Sequence, residues 1–318
     1  MIRFLIKILL FWLLFIGLVF SITYYQCQKV VKGKQFQNHN NEESLIITPK
    51  NEHFDYLILG ISHARNFSRH HNHQRVESIL EVNMLNYGKG AGKGSIANQH
   101  NFFKYFLSRH NSADNIFYVI TMPMFFSNIM DANAYTYENE IFSPKFFFIL
   151  LFGPEVNKGE KMYNYLRSKY NTRWKKYGTW SANINENALS EIDTAAISNG
   201  FRLAYVKGLE MDAFERNKRY LIKTIELAQK NGINISFLIT PTLFGEWPGH
   251  DMVIKFLDEL EQQYNVKTYN FCCVYLDKVE YFADHHHLNT PGVIAFTEEY
   301  LKPIVEENKN KNQKDSNR

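Results

Sequence analysis

Apolar and polar positions divide this sequence into four parts. An apolar stretch from Phe4 to Ile22, interrupted only by Lys7, opens it, and a segment rich in Asn, Gln and Lys follows. A long body then alternates short apolar runs with polar stretches, and the final residues are almost entirely polar. We predict a membrane anchor (residues 1–22), a tether (23–50), a folded domain (51–307) and a polar tail (308–318).

The apolar stretch is long enough to cross a bilayer. As a helix, Phe4 to Ile22 would span roughly 28 Å, close to the thickness of the hydrocarbon layer. Arg3 and Lys7 favour a cytoplasmic amino terminus, whereas the basic residues after the stretch (Lys29, Lys32 and Lys34) weaken that orientation. We predict a single-pass protein of the cell membrane whose domain faces the extracytoplasmic side.

A cleaved signal peptide and a buried helix of a soluble protein are the alternatives to an anchor. A signal peptide shares the basic start and the apolar centre, but the residues from Thr23 to Cys27 lack the small residues of a cleavage site. The same bulky residues before Cys27 do not form a lipoprotein box. A buried helix rarely has an apolar run of this length. An uncleaved anchor is therefore the preferred interpretation.

Short apolar runs in the body predict strands that are buried on both faces, which is typical of a parallel sheet. Helical periodicity separates several of them, and the last helical segment ends at a helix-stop signal, Asn231-Gly232. This alternation favours a three-layer α/β/α fold with a doubly wound parallel sheet. The predicted strands are Tyr56–Leu59, Met84–Tyr87, Ile116–Ile120, Ile235–Ile239 and a weaker Val266–Phe271, and the predicted helices are Val76–Glu81, Ala97–Arg109 and Glu215–Asn231.

Residues 124–212 depart from this alternation. They contain many aromatic residues and no clear strand, and their apolar run from Phe146 to Phe152 is too short to cross a bilayer. We interpret the segment as a largely helical insertion that forms a lid or a surface leaning on the membrane. Ordinary helices that cover the sheet are an equally good interpretation.

Composition excludes several classes of protein. The chain has 318 residues, of which 45% are hydrophobic and 21% charged, as in a globular protein rather than a disordered or fibrous one. A net charge of +4 is too small to indicate nucleic-acid binding. The three cysteines, Cys27, Cys272 and Cys273, form neither a disulfide framework nor a zinc motif.

Candidate chemistry lies where the predicted strands end, because ligands of open parallel sheets bind beyond the carboxyl ends of the strands. Ser62 follows the first strand, and histidine is the base that best activates a serine hydroxyl near neutral pH. His287 could be that base, and Asp284 could orient its imidazole. The backbone N–H groups of Ser62 and Gly88 could stabilise an oxyanion. These residues predict a catalytic Ser-His-Asp triad with an oxyanion hole.

The same residues resemble the conserved blocks of a known superfamily, the SGNH (GDSL-type) hydrolases. The blocks, in order, are Gly60-x-Ser62, Asn86-x-Gly88 and Asp284-x-x-His287-Leu288-Asn289-x-x-Gly292. With its amino-terminal anchor, the chain is most similar to the membrane-tethered branch that includes DltD and the alginate O-acetylation proteins. The resemblance spans roughly residues 54–305, and it implies an α/β/α fold, ester chemistry on acyl groups and the triad given above.

Two positions differ from the family pattern. The family's third block supplies an Asn after the third strand, whereas here Thr121-Met122-Pro123 follows it, so that oxyanion donor is Asn128 or missing. Ile61 stands where the best-known hydrolases carry Asp. Close to Ser62, Arg65 could hold an anionic group of the substrate or form a surface salt bridge.

Other interpretations of these residues are weaker. Ser62 alone could be a helix N-cap, and His287 alone a structural histidine. Metal binding by the run His285-His286-His287 is disfavoured, because alternate residues on an extended segment point opposite ways. The glycines at 88, 90, 92 and 94 lack the Gly-Lys-Ser/Thr ending of a phosphate loop. We predict no metal and no other cofactor.

The residues and the resemblance together predict a membrane-anchored serine esterase or O-acyltransferase. Its substrate would be a cell-surface polysaccharide or a related acylated polymer, and a membrane-bound acyltransferase is a possible partner. The alternative is a non-catalytic subunit of the same fold that assembles with a membrane acyltransferase or binds a glycan.

Overall fold

The computed structural model describes the backbone of residues 1–32, 44–90, 92–153, 155–170 and 184–316. Its strands are β1 (His53–Gly60), β2 (Met84–Asn86), β3 (Ser112–Ile120), β4 (Asn234–Ile239), β5 (Lys267–Asn270), β6 (Phe282–Asp284) and β7 (His287–Leu288). The first five form one parallel sheet in the order β2-β1-β3-β4-β5, and β6 and β7 form an antiparallel hairpin. All five predicted strands are confirmed.

Helices cover both faces of this sheet, which confirms the α/β fold. The helices of the described residues are α1 (Ile2–Lys32), α2 (Ser44–Ile47), α3 (Ser62–Asn66), α4 (Asn72–Leu80), α5 (Ile96–Ser108), α6 (Pro123–Phe126), α7 (Asn128–Ala132), α8 (Pro144–Phe152), α9 (Lys158–Arg167), α10 (Thr194–Ala204), α11 (Met211–Lys230), α12 (His250–Tyr264), α13 (Thr290–Phe296) and α14 (Lys302–Ser316). The three helices predicted from the sequence correspond to α4, α5 and α11.

The sheet separates two apolar cores, because its central strands are buried on both faces. Leu57 and Leu59 of β1 point into the larger core, which α5, α8, α11 and α12 cover. Tyr56 and Ile58 point into the smaller core under α4, α13 and α14. The alternation along one strand is the period-two pattern of a pleated sheet. The strand order changes direction between β1 and β3, and ligands of doubly wound sheets bind at such a point.

The described part of the predicted insertion comprises 124–153, 155–170 and 184–212, and within it helices α6 to α10 are joined by turns and irregular segments, with no strand. Phe146 of α8 stacks on Phe102 of α5, with ring centroids 5.5 Å apart. The buried carboxylate of Glu140 pairs with the Lys89 ammonium at 2.5 Å. These contacts make the first half of the insertion part of the folded body. Residues 171–183 lie outside the described residues.

Two features differ from the predicted anchor and tether. Helix α1 continues ten residues past Ile22, because Thr23 and Cys27 are buried against the domain. Leu45 and Ile47, which the prediction assigns to the tether, are buried in the larger core as part of α2. At the other end, α14 extends through residue 316, so the predicted polar tail is helical over most of its length.

Within the described residues, α1 is the one helix that is long and apolar enough to cross a membrane. The qualifying segment runs from Ile2 to Lys29, and its most apolar window is not buried by the rest of the protein. Large side chains along it, such as Phe11 and Leu14, are more than half exposed.

Candidate active site

A glycine turn after β1 places Ser62 at the carboxyl edge of the sheet. Gly60 has a φ of +139°, and a Cβ atom there would lie 2.6 Å from the Val119 carbonyl oxygen of the adjacent strand. Only glycine allows this combination of backbone conformation and close packing. The chain then reverses into the short helix α3, whose first residue is Ser62. The side chain of Ser62 is half-buried at the point where β1 and β3 diverge.

The hairpin of β6 and β7 brings His287 to this serine. The Asp284 carboxylate closes a tight turn, in which its Oδ1 accepts hydrogen bonds from the backbone N–H groups of His286 (3.0 Å) and His287 (2.9 Å). Such a side-chain turn fixes residues at i and i+3 with respect to each other. The Asp-x-x-His spacing therefore positions the aspartate and the histidine as one unit.

Ser62, His287 and Asp284 form a continuous hydrogen-bonded relay. The Nε2 of His287 lies 2.7 Å from Ser62 Oγ, and its Nδ1 lies 2.8 Å from Asp284 Oδ2. Because a carboxylate only accepts, Nδ1 carries the proton and Nε2 is free to accept the serine hydroxyl proton. The structure thus brings together the three residues that the sequence predicts as a triad.

The charge of Asp284 is set by opposing effects. Burial alone would raise the pKa of the Asp284 carboxyl. Hydrogen bonds from His287, the charges of His287 and His286, and the backbone N–H groups outweigh burial and hold that pKa well below its usual range. Asp284 is therefore ionised at neutral pH, the state in which a carboxylate could orient an imidazole.

The remainder of the Asp-x-x-His-Leu-Asn-x-x-Gly block holds the hairpin in place. Asn289 is the N-cap of α13, where its Oδ1 accepts from the Gly292 N–H at 2.9 Å. The amide of Asn289 also donates to the carbonyl of Glu280 at 2.7 Å. A Cβ at Gly292 would lie 2.1 Å from the Tyr281 carbonyl oxygen, so glycine is needed for this close approach.

Three further histidines surround the relay. The His63 ring is buried, with its centroid 4.9 Å from that of His287. Burial and the neighbouring His287 charge lower the pKa of His63 well below its usual value, and the same two causes lower the pKa of His286 to about 4. His285 points the other way, and its Nε2 accepts from the Asp193 N–H that precedes α10. Sequence reasoning missed His63, since no local pattern shows that it packs under the relay.

The Asn86-x-Gly88 segment packs tightly against the start of α3. The Asn86 amide donates to the Ala64 carbonyl and to Ser68 Oγ, both at 2.8 Å. The Gly88 N–H donates to Asn86 Oδ1 at 2.7 Å, and a Cβ at Gly88 would lie 2.2 Å from the Arg65 nitrogen. The glycine is thus required by packing, and its N–H has a partner within the protein. The role of Gly88 as an oxyanion donor stays a prediction.

The side chains of Asn128 and Arg65, the two weaker candidates, both contact other parts of the protein. The Asn128 amide donates to Glu210 at 2.7 Å, and its Oδ1 accepts from Arg216. The Arg65 guanidinium lies against the backbone of Gly90, where a Cβ would be 2.2 Å from its Nη1. The proposed roles of Asn128 in the oxyanion hole and of Arg65 in substrate binding stay predictions.

An aromatic cavity of about 200 Å³ opens beside the relay. It is lined by α10, by Asp284 to His286, and by the rings of Phe201, Phe244 and Trp247. Phe244 and Trp247 meet edge to face at 4.8 Å, and Trp247 also meets the His286 ring at 5.5 Å. A larger cavity, of about 530 Å³, lies at the opposite edge, near the amino ends of β3 and β4. Ligands of parallel sheets bind at the carboxyl edge, so the aromatic cavity is the candidate substrate site.

Metal-ligating groups also gather at this edge. Donor atoms of Asp284, His286 and His287 lie within 4.8 Å of one another, as do those of Glu246, His250 and Cys272. In the first set, His287 uses both ring nitrogens in the relay. A metal ion bound to that histidine would displace either the serine or the aspartate, so His287 cannot bind a metal ion and form the relay at the same time.

The fold and site define an α/β protein with a serine–histidine–aspartate relay at the carboxyl edge of its parallel sheet. No family model matches the chain, and no curated protein matches it. Among solved structures, it is similar to a Bacteroides fragilis protein described as a "putative acylhydrolase", with a TM-score of 0.40 and 10% sequence identity. That match covers 82% of this chain and 91% of the other.

Proposed function

We propose that this protein is a membrane-anchored serine esterase or O-acyltransferase of the SGNH type, acting on acyl esters of a cell-surface polysaccharide. The observation that carries the proposal is the relay from Asp284 through His287 to Ser62, with hydrogen bonds of 2.8 and 2.7 Å. A serine hydroxyl within reach of an imidazole that a carboxylate orients is the arrangement of an activated nucleophile.

The reaction would proceed through an acyl-serine. His287 Nε2 accepts the Ser62 proton as the Oγ attacks the acyl carbonyl, and the resulting imidazolium returns this proton to the departing alcohol oxygen. Water or a sugar hydroxyl then attacks the acyl-serine, with His287 again taking and returning one proton. Asp284 remains ionised and stabilises the imidazolium in both steps. Ser62 is the first residue of α3, so its backbone N–H has no acceptor within the helix. This N–H is the proposed oxyanion donor.

A cell-surface substrate is supported by the position of α1 and by the aromatic cavity. A single-pass anchor with a cytoplasmic amino terminus would hold the site outside the membrane, where envelope polymers lie. Flat aromatic rings, such as those of Phe244 and Trp247, provide apolar surface for the apolar part of an acylated sugar. Within the SGNH superfamily, the anchored branch that includes DltD fits this arrangement.

The decisive experiment is covalent labelling of the full-length protein in detergent with a fluorophosphonate probe. We expect labelling of wild type, with the probe on the tryptic peptide that contains Ser62. Ser62→Ala and His287→Ala should lose labelling, whereas Ser78→Ala, an exposed serine on α4, should retain it. Absence of labelling in folded wild-type protein would contradict the proposal.

A non-catalytic assembly subunit is the second candidate, and one observation favours it. The Gly88 N–H and the Asn128 amide both have hydrogen-bond partners inside the protein, so neither is directed to a substrate oxyanion in this structure. A subunit of this kind would keep its association with a membrane acyltransferase after Ser62→Ala. A co-purification from native membranes that survives this substitution, together with absence of probe labelling, would select this candidate.

A further inference from the structure

Helix α8 carries apolar side chains on its outer face as well as its inner face. Phe146 and Leu150 are buried against the domain, whereas Phe148 and Phe152 are 50% and 79% exposed. The two exposed rings stack on each other at 6.3 Å, and Leu151 beside them is also exposed. A helix on the surface of a soluble domain is normally polar on its outer face. The outer face of α8 therefore needs an apolar partner.

Contacts with α1 place α8 at the edge of the predicted membrane span. The rings of Phe147 and Phe142 meet the Phe20 ring edge to face, at 4.8 and 5.1 Å. Phe20 belongs to the apolar stretch and precedes its last residue, Ile22, by about 3 Å along the helix axis. A helix that touches Phe20 consequently lies at the depth where the hydrocarbon layer ends.

The junction between α1 and the domain is a packed interface. Phe20, Thr23 and Cys27 lie on one stripe of α1, at the spacing of a helix face. The Thr23 hydroxyl bonds to the Tyr170 hydroxyl, and Cys27 Sγ accepts from the Phe142 N–H at 3.4 Å. Because Thr23 and Cys27 are buried and Phe20 is partly buried, the orientation of the domain on α1 is set by packing rather than left to a linker.

We propose that the outer face of α8 inserts into the lipid bilayer beside α1, with Phe148, Leu151 and Phe152 among the acyl chains. The domain would then be held against the membrane at two places, in one orientation. Tyr24 and Tyr25, exposed just after the apolar stretch, fit the aromatic belt expected at the same interface. This inference rests on the membrane anchoring proposed above.

The test measures the depth of single fluorescent labels in the full chain, reconstituted in phosphatidylethanolamine and phosphatidylglycerol vesicles. Bimane would be attached to Phe152→Cys, with Ile8→Cys as the positive control in the span and Ser78→Cys as the control on the opposite face of the sheet. Cys273, the exposed native thiol, would be replaced by serine throughout, and this background protein provides the blank. Quenching by a nitroxide on the lipid acyl chain is compared with quenching by iodide in the buffer.

We expect the Phe152 label to be quenched by the acyl-chain nitroxide at least threefold more than the Ser78 label, and to be protected from iodide. Equal lipid quenching of these two labels, with the Ile8 label still quenched, would overturn the insertion of α8 and leave the anchor intact. Loss of lipid quenching at all three sites would contradict the anchoring itself. Protection of the Phe152 label from both quenchers would also overturn the inference, because a second protein copy would then cover the face.

Discussion

The two halves of the candidate site differ in how far they are assembled. On the relay side, each polar link from Ser62 to Asp284 is at hydrogen-bond distance. On the oxyanion side, the Gly88 N–H donates to Asn86 and the Asn128 amide donates to Glu210. The hydrogen bonds that a proton transfer needs are therefore formed in the folded chain. For oxyanion stabilisation, the Ser62 N–H is the remaining candidate donor.

The largest effect should come from breaking the relay. His287→Gln retains a similar size but cannot accept and return the serine proton, so we expect kcat on an acetyl ester to fall at least 10³-fold. Thermal unfolding should change little, because the ring is partly exposed. His53→Gln, which alters an exposed histidine at the amino end of β1, away from the site, is the control and should retain activity within threefold. Equal losses in both variants would show that the effect is not specific to the relay.

Gly88→Ala tests the close packing of the segment after β2 against the backbone of α3. Its new Cβ would lie 2.2 Å from the backbone nitrogen of Arg65, so α3 or the segment after β2 must move. We expect a loss of about 3 kcal/mol in the free energy of unfolding, as for severe overpacking. Gly159→Ala, where nothing lies within 4 Å of the added atom, should change stability by less than about 1 kcal/mol. Urea denaturation of both variants would check this contrast, and equal stabilities would contradict the packing described here.

The buried His63 should make the free energy of unfolding depend on pH. Its pKa is lowered in the folded protein, so the unfolded chain binds the proton first as the pH falls below about 6.5. Stability is therefore fully present above that pH and decreases at up to about 1.4 kcal/mol per pH unit below it. His63→Gln should flatten the dependence of the free energy of unfolding on pH between 6.5 and 5. Parallel curves for the variant and wild type would contradict a buried, neutral His63.

The smallest effect is expected at Asn128. Because its amide bonds to Glu210 and its carbonyl to Arg216, Asn128→Ala should reduce kcat by less than threefold. Loss of a true oxyanion donor costs about 10²- to 10³-fold. A loss of that size, with unfolding unchanged, would assign Asn128 to the oxyanion hole after a rearrangement on substrate binding.

The strands could be predicted because their buried segments are continuous apolar runs, as in Ile116 to Ile120. Ser62 could be predicted because it directly follows a strand of the parallel sheet, where ligands bind. Asp284 and His287 could be predicted together because their spacing is local, although the hairpin that carries them lies outside the parallel sheet. His63 under the relay and the Asn86 bonds to α3 could not, since they depend on packing between distant segments. The burial of Leu45 and Ile47 could not be predicted either, because polar residues flank this short apolar run in the sequence.

Turnover of p-nitrophenyl acetate by the full-length protein and by Ser62→Ala tests the central claim most directly. If Ser62 is the activated nucleophile, wild type should release p-nitrophenol at least 10³-fold faster than a Ser62→Ala protein of unchanged thermal stability. Equal rates for the two proteins, at the level of the uncatalysed reaction or above it, would contradict catalysis by the Ser62–His287–Asp284 relay.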